Sequence, residues 1–493
     1  MKRRIVIVGN GMAGSRAAEE LRRRTAAESL EIVLIGDELH APYNRILLSN
    51  VLAGGLTARD VRLKPDQWWA RQEIDVRHGS AVFGIDPTER RVLCVDGTAI
   101  GYDDLILATG SRAVVPPVVG ALDGAGGFVP GVATFRTLDD CARIIEASTS
   151  GTAAVVLGGG LLGIEAARGL RMRGVDVTVV HPKDFPMERQ MDADGGAVLT
   201  RVLESVGVGV VLGRRVTEFG DSQVVLDDGS RLRADLLVLS AGIRPCVELA
   251  ERAGVSVGRG ILVDDELRTD VDGIRAIGEC AEHRGEVYGL VQPGWEQAAV
   301  VAELLTGTDS KANYTGTALS TRLKAPDIDL ASMGDVDATT LSRAVEVTTV
   351  VDASRGTYAK IVVKDERLVG ALLLGVPDVV GTVTQLFDTQ LPVPPDRIAL
   401  LTGRATGAAV ESVSPSGMPG SAVICRCNSV TKSDLTTAWK SGARSADALV
   451  SATRATTGCG GCSGAVAGIC QWLTSVDPAV TGNSLDTREE GAA

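Results

Sequence analysis

The sequence predicts an α/β protein built from two Rossmann-like βαβ units, a small α+β domain and a small helical module carrying two close pairs of cysteines. Three observations lead there. Two short apolar runs, 5–8 and 153–157, each enter a G-x-G-x-x-G turn followed by a helix-forming stretch. Residues 317–375 instead mix alternating strand patterns with turns, as an α+β layer does. Nine cysteines are an odd number, and four of them fall in two pairs near the C-terminal end, the spacing of ligands rather than of a disulfide framework.

At 493 residues the chain has room for about three domains of ~150 residues and several hydrophobic cores. Its net charge of -12, from 62 acids against 50 bases, argues against nucleic acid or an anionic membrane surface as the main partner. No apolar run approaches the ~18 residues of a membrane span, and the basic start leads into only the four apolar residues 5–8. A cytoplasmic protein acting on small molecules or proteins is expected, with no nucleic acid and no membrane partner.

In chain order, strand 5–8, the glycine turn, helix 15–24 and strand 31–35 form the first unit. Short strands follow over 79–101, and the run 104–107 ends at Ala108-Thr109-Gly110. The second unit comprises strand 153–157, its turn, a helix through Arg173 and strand 176–180, with strands and turns recurring over 208–242. Strands are expected at 360–364 and 368–374. Residues 412–421, rich in Ser, Pro and Gly, read as a linker to a mobile compact module. The expected division is a discontinuous domain of 1–112 and 243–316, a second dinucleotide domain at 113–242, an α+β interface domain at 317–411, the linker, a module at 422–476 and a frayed tail at 477–493.

The loops carry a specific chemistry. In Gly9-Asn10-Gly11-Met12-Ala13-Gly14, Gly9 permits the tight turn, Gly11 lets the backbone approach a pyrophosphate, and Gly14 lets helix and strand pack closely. Met12 and Ala13, within the turn, are expected cofactor contacts, and the N-terminus of the helix that follows faces the phosphates. Asp37, with Glu38 beside it, is placed to accept from a ribose. Gly158-Gly159-Gly160-Leu161-Leu162-Gly163 repeats the pattern, with Gly158, Gly160 and Gly163 in the three roles and Leu161 and Leu162 as further expected cofactor contacts within the turn. There the second strand ends Val179-Val180-His181-Pro182-Lys183, without an acid. A carboxylate would repel a 2′-phosphate, whereas His181 and Lys183 would not, so NADH and NADPH both stay open.

The order of the first loop, Ala108-Thr109-Gly110, the second loop and Ile277-Gly278-Glu279-Cys280-Ala281 resembles the two-dinucleotide flavoprotein reductases over residues 1 to about 310. The resemblance implies FAD on the first unit and NADH or NADPH on the second. It implies that Pro42-Tyr43-Asn44-Arg45 and Ser49 lie near the flavin, that Gly278 and Glu279 bind its ribityl or phosphate end, and that Trp295 lies against the isoalloxazine. Val82, Thr109, Gly110, His181 and Gly242 are further cofactor contacts, and Glu165 is the catalytic acid near the nicotinamide. No cysteine precedes Cys94, so thiol chemistry beside the flavin is not expected. Cys94, Cys141, Cys246, Cys280 and Cys470 read as inert core thiols.

Cys425-Arg426-Cys427 and Cys459-Gly460-Gly461-Cys462 can hold zinc or a [2Fe-2S] cluster. The short C-x-C, the paired glycines and a helix at 463–473 favour the cluster. With Thr453-Arg454-Ala455-Thr456-Thr457-Gly458, these residues resemble the bacterioferritin-associated ferredoxin-like [2Fe-2S] domain, which implies that Cys425, Cys427, Cys459 and Cys462 all ligate iron. Arg426 and Arg454 would temper the cluster charge or meet an acidic partner.

Asn44-Arg45-Ile46-Leu47-Leu48-Ser49 and Met187-Glu188-Arg189-Gln190-Met191-Asp192 resemble stretches of the large subunit of assimilatory NAD(P)H nitrite reductases. This chain stops short of their sirohaem half and in that resembles the electron-transfer subunit of assimilatory nitrate reductase. The resemblance implies that NAD(P)H electrons pass through FAD and the cluster to a catalytic subunit of nitrate or nitrite reductase, and that residues 317–410 support self-association. The alternatives are a stand-alone NAD(P)H-ferredoxin or rubredoxin reductase or NADH oxidase with a structural zinc site held by the four cysteines, and a module docking on an iron-storage shell.

Overall fold

The structure, a computed structural model, describes residues 2–325, 327–339, 342, 344–404, 415–425, 430–456 and 462–477. The chain divides into two compact units, Met1–Val380 and Gly381–Ala493.

In the first unit the strand Arg3–Val8 lies at the centre of a parallel five-stranded sheet, between Asp104–Leu107 and Leu30–Ile35, with Ile274–Ala276 and Ile74–Arg77 at the edges. A parallel sheet is covered on both faces, so its strands are apolar at consecutive positions. Ile5 and Ile7 face a core that includes Ala17, Leu21, Ala298 and Val301 from the helices Met12–Arg24 and Val291–Thr306. Val6 and Val8 face the opposite core, closed by Val92 and Ile100 of the antiparallel sheet Val82–Asp86, Arg91–Cys94 and Ala99–Gly101. The first helix begins at Met12 rather than at residue 15, because Gly11 already serves as its N-cap in extended backbone.

A second parallel sheet has the order Val208–Leu212, Asp176–His181, Ala153–Leu157, Leu236–Leu239, Val132–Thr134. The chain enters and leaves this region through the paired strands Ser111–Ala113 and Ile243–Pro245, so the first sheet is completed only afterwards, by Ile274–Ala276. The helix Leu161–Met172 packs on Leu48–Leu52 through Gly169, where a Cβ would stand 3.2 Å from Leu52 Cγ. An antiparallel sheet follows, in the order Ser320–Ala325, Ile328–Gly334, Arg367–Leu374, Thr357–Lys364, Glu346–Asp352. Buried Lys360 ties it to the N-terminus of the helix Ala193–Ser205, its Nζ donating to the capping Asp192 Oδ2 at 2.7 Å.

In the second unit, Lys432–Lys440, Ala446–Thr453 and Ser463–Val476 surround a core of Leu435, Trp439, Leu449, Val466, Ile469 and Leu473. Thr431 and Asp434 form a reciprocal cap on the first of these helices, and Ser445 caps the second. Residues 412–414 of the expected linker and 478–493 of the expected tail lie outside the described residues. Among the described residues no helix is long and apolar enough to cross a membrane.

Gly370 shows how tightly the antiparallel sheet is closed: a Cβ there would stand 1.7 Å from the main-chain oxygen of Asp335. Gly370→Ala is expected to destabilise the first unit by about 1–3 kcal/mol, read as a lower denaturant midpoint with an unchanged slope.

Candidate functional site

The two glycine loops repeat one backbone geometry. Gly9 has φ +114°, and a Cβ on it would stand 2.1 Å from Ala108 O; Gly158 has φ +120°, and its Cβ would stand 2.2 Å from Ser240 O. A Cβ on Gly14 would lie 1.9 Å from Gly9 O, and one on Gly163 1.8 Å from Gly158 O. Those four glycines meet their own protein. The middle ones do not: Gly11 has nothing closer than Arg45 Nε at 4.0 Å, and Gly160 nothing within 4 Å. At Gly11 and Gly160 the missing side chain leaves open space for a ligand, in front of helices with no acid in their first turn.

The first loop borders a solvent-open cleft with a cavity volume of about 130 Å³. Gly9, Gly11, Met12, Ala13, Asp37, Arg45, Thr109, Gly110, Gly278 and Glu279 line it, ten of the residues anticipated from sequence. Asn10, Ser111, Arg136, Leu290, Val291 and Gly294 line it too and were not anticipated. Glu279 is held by Arg136 and accepts from Ser111 Oγ at 2.6 Å. Arg136 Nη2 also donates to Ser111 Oγ at 2.8 Å.

Glu38 does not join Asp37 at the cleft. It pairs with Arg45 and accepts from Tyr43 OH at 2.7 Å. Burial pushes the Tyr43 phenol well up, keeping it a donor. Burial works against the Arg45 cation, but the Glu38 carboxylate, with Glu279 further off, favours it and the guanidinium stays charged. Arg45 Nη1 in turn donates to Arg136 O at 3.3 Å, so one cation braces the segment bearing the next.

Trp295 does not line this cleft. Its side chain is buried between helices, with Nε1 donating to Met12 O at 3.0 Å and the Arg16 guanidinium 5.5 Å from its ring centroid. The cleft is reached instead by the start of the same helix, at Leu290, Val291 and Gly294, while Gln297 Oε1 accepts from Gly278 N at 2.7 Å. Ser49 is buried in Leu48–Leu52, Val82 begins an outer strand, and Gly242, with φ +106°, forms the turn before Ile243–Pro245. None of these three lines the cleft.

Leu161 and Leu162 are half-buried in the first turn of the second-loop helix, and Glu165 is buried one turn on rather than lying on the helix surface. His181 is buried as well: Gly159 N–H donates to its Nδ1 at 3.0 Å, and its Nε2 lies 3.0 Å from Glu188 Oε2.

In the second unit, buried Cys425 closes the strand Val423–Cys425, and Cys462 stands directly before Ser463–Val476, a helix with no acid in its first turn. Both sulfurs belong to one apolar core, the setting of ligands held at a helix N-terminus. Cys427 and Cys459, with Arg426, lie outside the described residues, and among the described residues no three His, Cys, Asp or Glu side chains converge on a metal. Of the remaining thiols, Cys94, Cys141 and Cys280 are buried; burial pushes the Cys141 thiol up to about 12, so it is no nucleophile at neutral pH.

Comparison with known proteins agrees with this organisation. Residues 3–302 match the pyridine nucleotide-disulphide oxidoreductase family, 320–379 the C-terminal domain of rubredoxin NAD+ reductase, and 423–472 the BFD-like [2Fe-2S] binding domain. The chain is 38% identical to the nitrite reductase [NAD(P)H] of Bacillus subtilis strain 168, over 97% of this chain and 58% of that one. It is 35% identical to the assimilatory nitrate reductase electron transfer subunit of the same organism, over 96% of this chain and 60% of that one. It therefore spans about three fifths of the length of these two curated relatives. Among solved structures, the covalent putidaredoxin reductase-putidaredoxin complex superposes with a TM-score of 0.72 at 27% identity, covering 84% of this chain and 99% of the other.

The division of labour among the glycines is testable. Because a methyl at Gly11 or Gly160 meets no wall of the protein, both alanine variants should fold within about 1 kcal/mol of the parent. Gly11→Ala should nonetheless retain less than about a tenth of the yellow flavin, and Gly160→Ala should keep the flavin while NAD(P)H bleaches it at least about tenfold more slowly. Absorbance at the flavin band and stopped-flow reduction read the two effects.

Proposed function

This chain belongs to the pyridine nucleotide-disulphide oxidoreductase family, and from that premise we propose that it is a cytoplasmic electron-transfer flavoprotein. In this reading it oxidises NAD(P)H and feeds electrons through FAD and a [2Fe-2S] cluster to a separate redox protein, the catalytic subunit of an assimilatory nitrate reductase. The observation that carries it is the pairing of two glycine loops, each with an open middle position, with a C-terminal four-cysteine module on one chain. When bound, FAD accepts a hydride's two electrons and can release them one at a time, as an iron-sulfur acceptor requires.

The protein's own part is binding and orientation. Gly11 and the N-terminal amides of Met12–Arg24 receive the FAD pyrophosphate, and Asp37 accepts from its ribose. Arg45 and Arg136 bring positive charge to the same cleft, partly neutralised by Glu38 and Glu279, so a dianionic group entering there meets cations already fixed in place. Gly160 and the amides of Leu161–Met172 receive the pyridine nucleotide, with Glu165 oriented by its burial on that helix. Hydride transfer needs alignment more than acid-base help, in keeping with a chain that holds only four histidines, two of them buried and engaged with carboxylates. Cys425, Cys427, Cys459 and Cys462 would ligate the cluster. The B. subtilis relative named as an electron transfer subunit supports the choice of partner.

An anaerobic NADH and NADPH titration of the purified protein, with iron and flavin analysis and then addition of a nitrate reductase catalytic subunit, tests the whole route. Cys462→Ser should leave flavin bleaching by reduced nucleotide within about twofold while lowering reduction of a one-electron protein acceptor at least about a hundredfold. Equal loss of both would contradict separate entry and exit points.

A further inference from the structure

The strand Asp176–His181 ends on an imidazole where nucleotide-binding βαβ units carry the carboxylate that bonds the adenosine ribose. That imidazole is committed. A backbone N–H can only donate, so Nδ1 of His181 accepts from Gly159 at 3.0 Å, and the proton of the neutral ring sits on Nε2. Nε2–H then donates to Glu188 Oε2, 3.0 Å away. The turn bearing Glu188 is fastened to the same glycine: Met187 N–H donates to Gly159 O at 2.9 Å. Met187 is fully buried with φ +55°, a conformation that favours glycine, and its carbonyl accepts from both Gln190 and Met191. Gly159 is thus gripped by its N–H and by its C=O, and what both grips hold in place is a carboxylate beside the loop.

We infer that Glu188, presented by His181, replaces the missing strand-end acid and selects NADH over NADPH. This rests on the proposed reading of the second loop as the pyridine nucleotide site. A carboxylate accepts hydrogen bonds from the 2′- and 3′-hydroxyls of a ribose and repels a 2′-phosphate carrying nearly two negative charges. The Glu188 side chain is 31% exposed, so a ligand can reach it. The neighbouring cation Arg214, whose N–H donates to His181 O, turns its guanidinium to Asp228 at 2.7 Å and leaves Glu188 uncompensated from that side. Lys183, exposed on the same loop, is a cation that would favour the phosphate, and it can be removed separately.

The test uses the full, flavin-loaded chain and two probes without a nicotinamide, ADP and 2′,5′-ADP, titrated by calorimetry, alongside stopped-flow bleaching of the flavin by NADH and NADPH. The parent should bind ADP at least about tenfold more tightly than 2′,5′-ADP and be bleached faster by NADH in the same order. Glu188→Gln should narrow the ADP preference at least about fivefold, mainly by tighter binding of the phosphorylated probe, and Lys183→Ala should not narrow it. A parent that prefers 2′,5′-ADP, or a Glu188→Gln variant that folds with full flavin and an unchanged ratio, overturns the inference. Discrimination between the probes without bleaching by either nucleotide would support the role of Glu188 and overturn the electron-entry reading instead. Even if the variant does not fold, a parent that prefers 2′,5′-ADP overturns the inference.

Discussion

Helix and strand approach so closely at Gly14 and Gly163 that a methyl group would sit inside the carbonyl of Gly9 or Gly158. The rest of the architecture hangs on that approach. It seats each helix at the carboxyl end of a central parallel strand, and this aims the unpaired amides of the helix N-terminus at the space beyond the sheet. Once the helices are seated, the middle glycine faces outward by default, and the cleft walls at 108–111 and 277–279 follow from the neighbouring strands of the same sheet. The two units obey the same constraint and differ mainly in what the next strand offers at its end: Asp37 beyond one, His181 at the close of the other.

The glycine loops were legible in the sequence because a steric demand on the backbone leaves a local trace that no other residue type can satisfy. The parallel strands were legible for a related reason, since consecutive apolar residues such as Ile5, Val6, Ile7 and Val8 make sense only when both faces are covered. Side-chain direction was not. Trp295 was anticipated at the flavin from the family resemblance, and its indole N–H turns onto Met12; Glu38 was paired with Asp37 by adjacency, yet in the loop beyond Leu30–Ile35 it is Arg45 and Tyr43 that claim it. Arg136 and Ser111 reach the cleft from segments far apart in the chain, and no spacing rule connects them to Gly9. Glu188 could have been suspected from the absence of an acid at position 181 and its presence a turn later, but only the hydrogen bonds through His181 join the two observations.

The charges around the first cleft are arranged in opposed pairs rather than as a bare positive patch. Arg45 faces Glu38, and Arg136 faces Glu279, with Tyr43 and Ser111 supplying the remaining donors. Such pairs hold long side chains in single rotamers, so an arriving phosphate finds donors that have already lost their conformational freedom. The same pairing keeps the interior of the cleft near neutrality, which a chain of net charge -12 would not otherwise ensure.

Arg136 stands between the strand Val132–Thr134 of the second sheet and the helix Leu138–Ala147, yet its guanidinium serves Glu279, a residue next to the edge of the first sheet. The two dinucleotide folds therefore cannot be treated as interchangeable cassettes. Recombination that transplanted the first fold alone would strand a carboxylate in its pocket without a counter-ion, and a graft of the second would carry away a hand meant for its neighbour. Inheritance of this pair has to be joint, down to a single shared arginine.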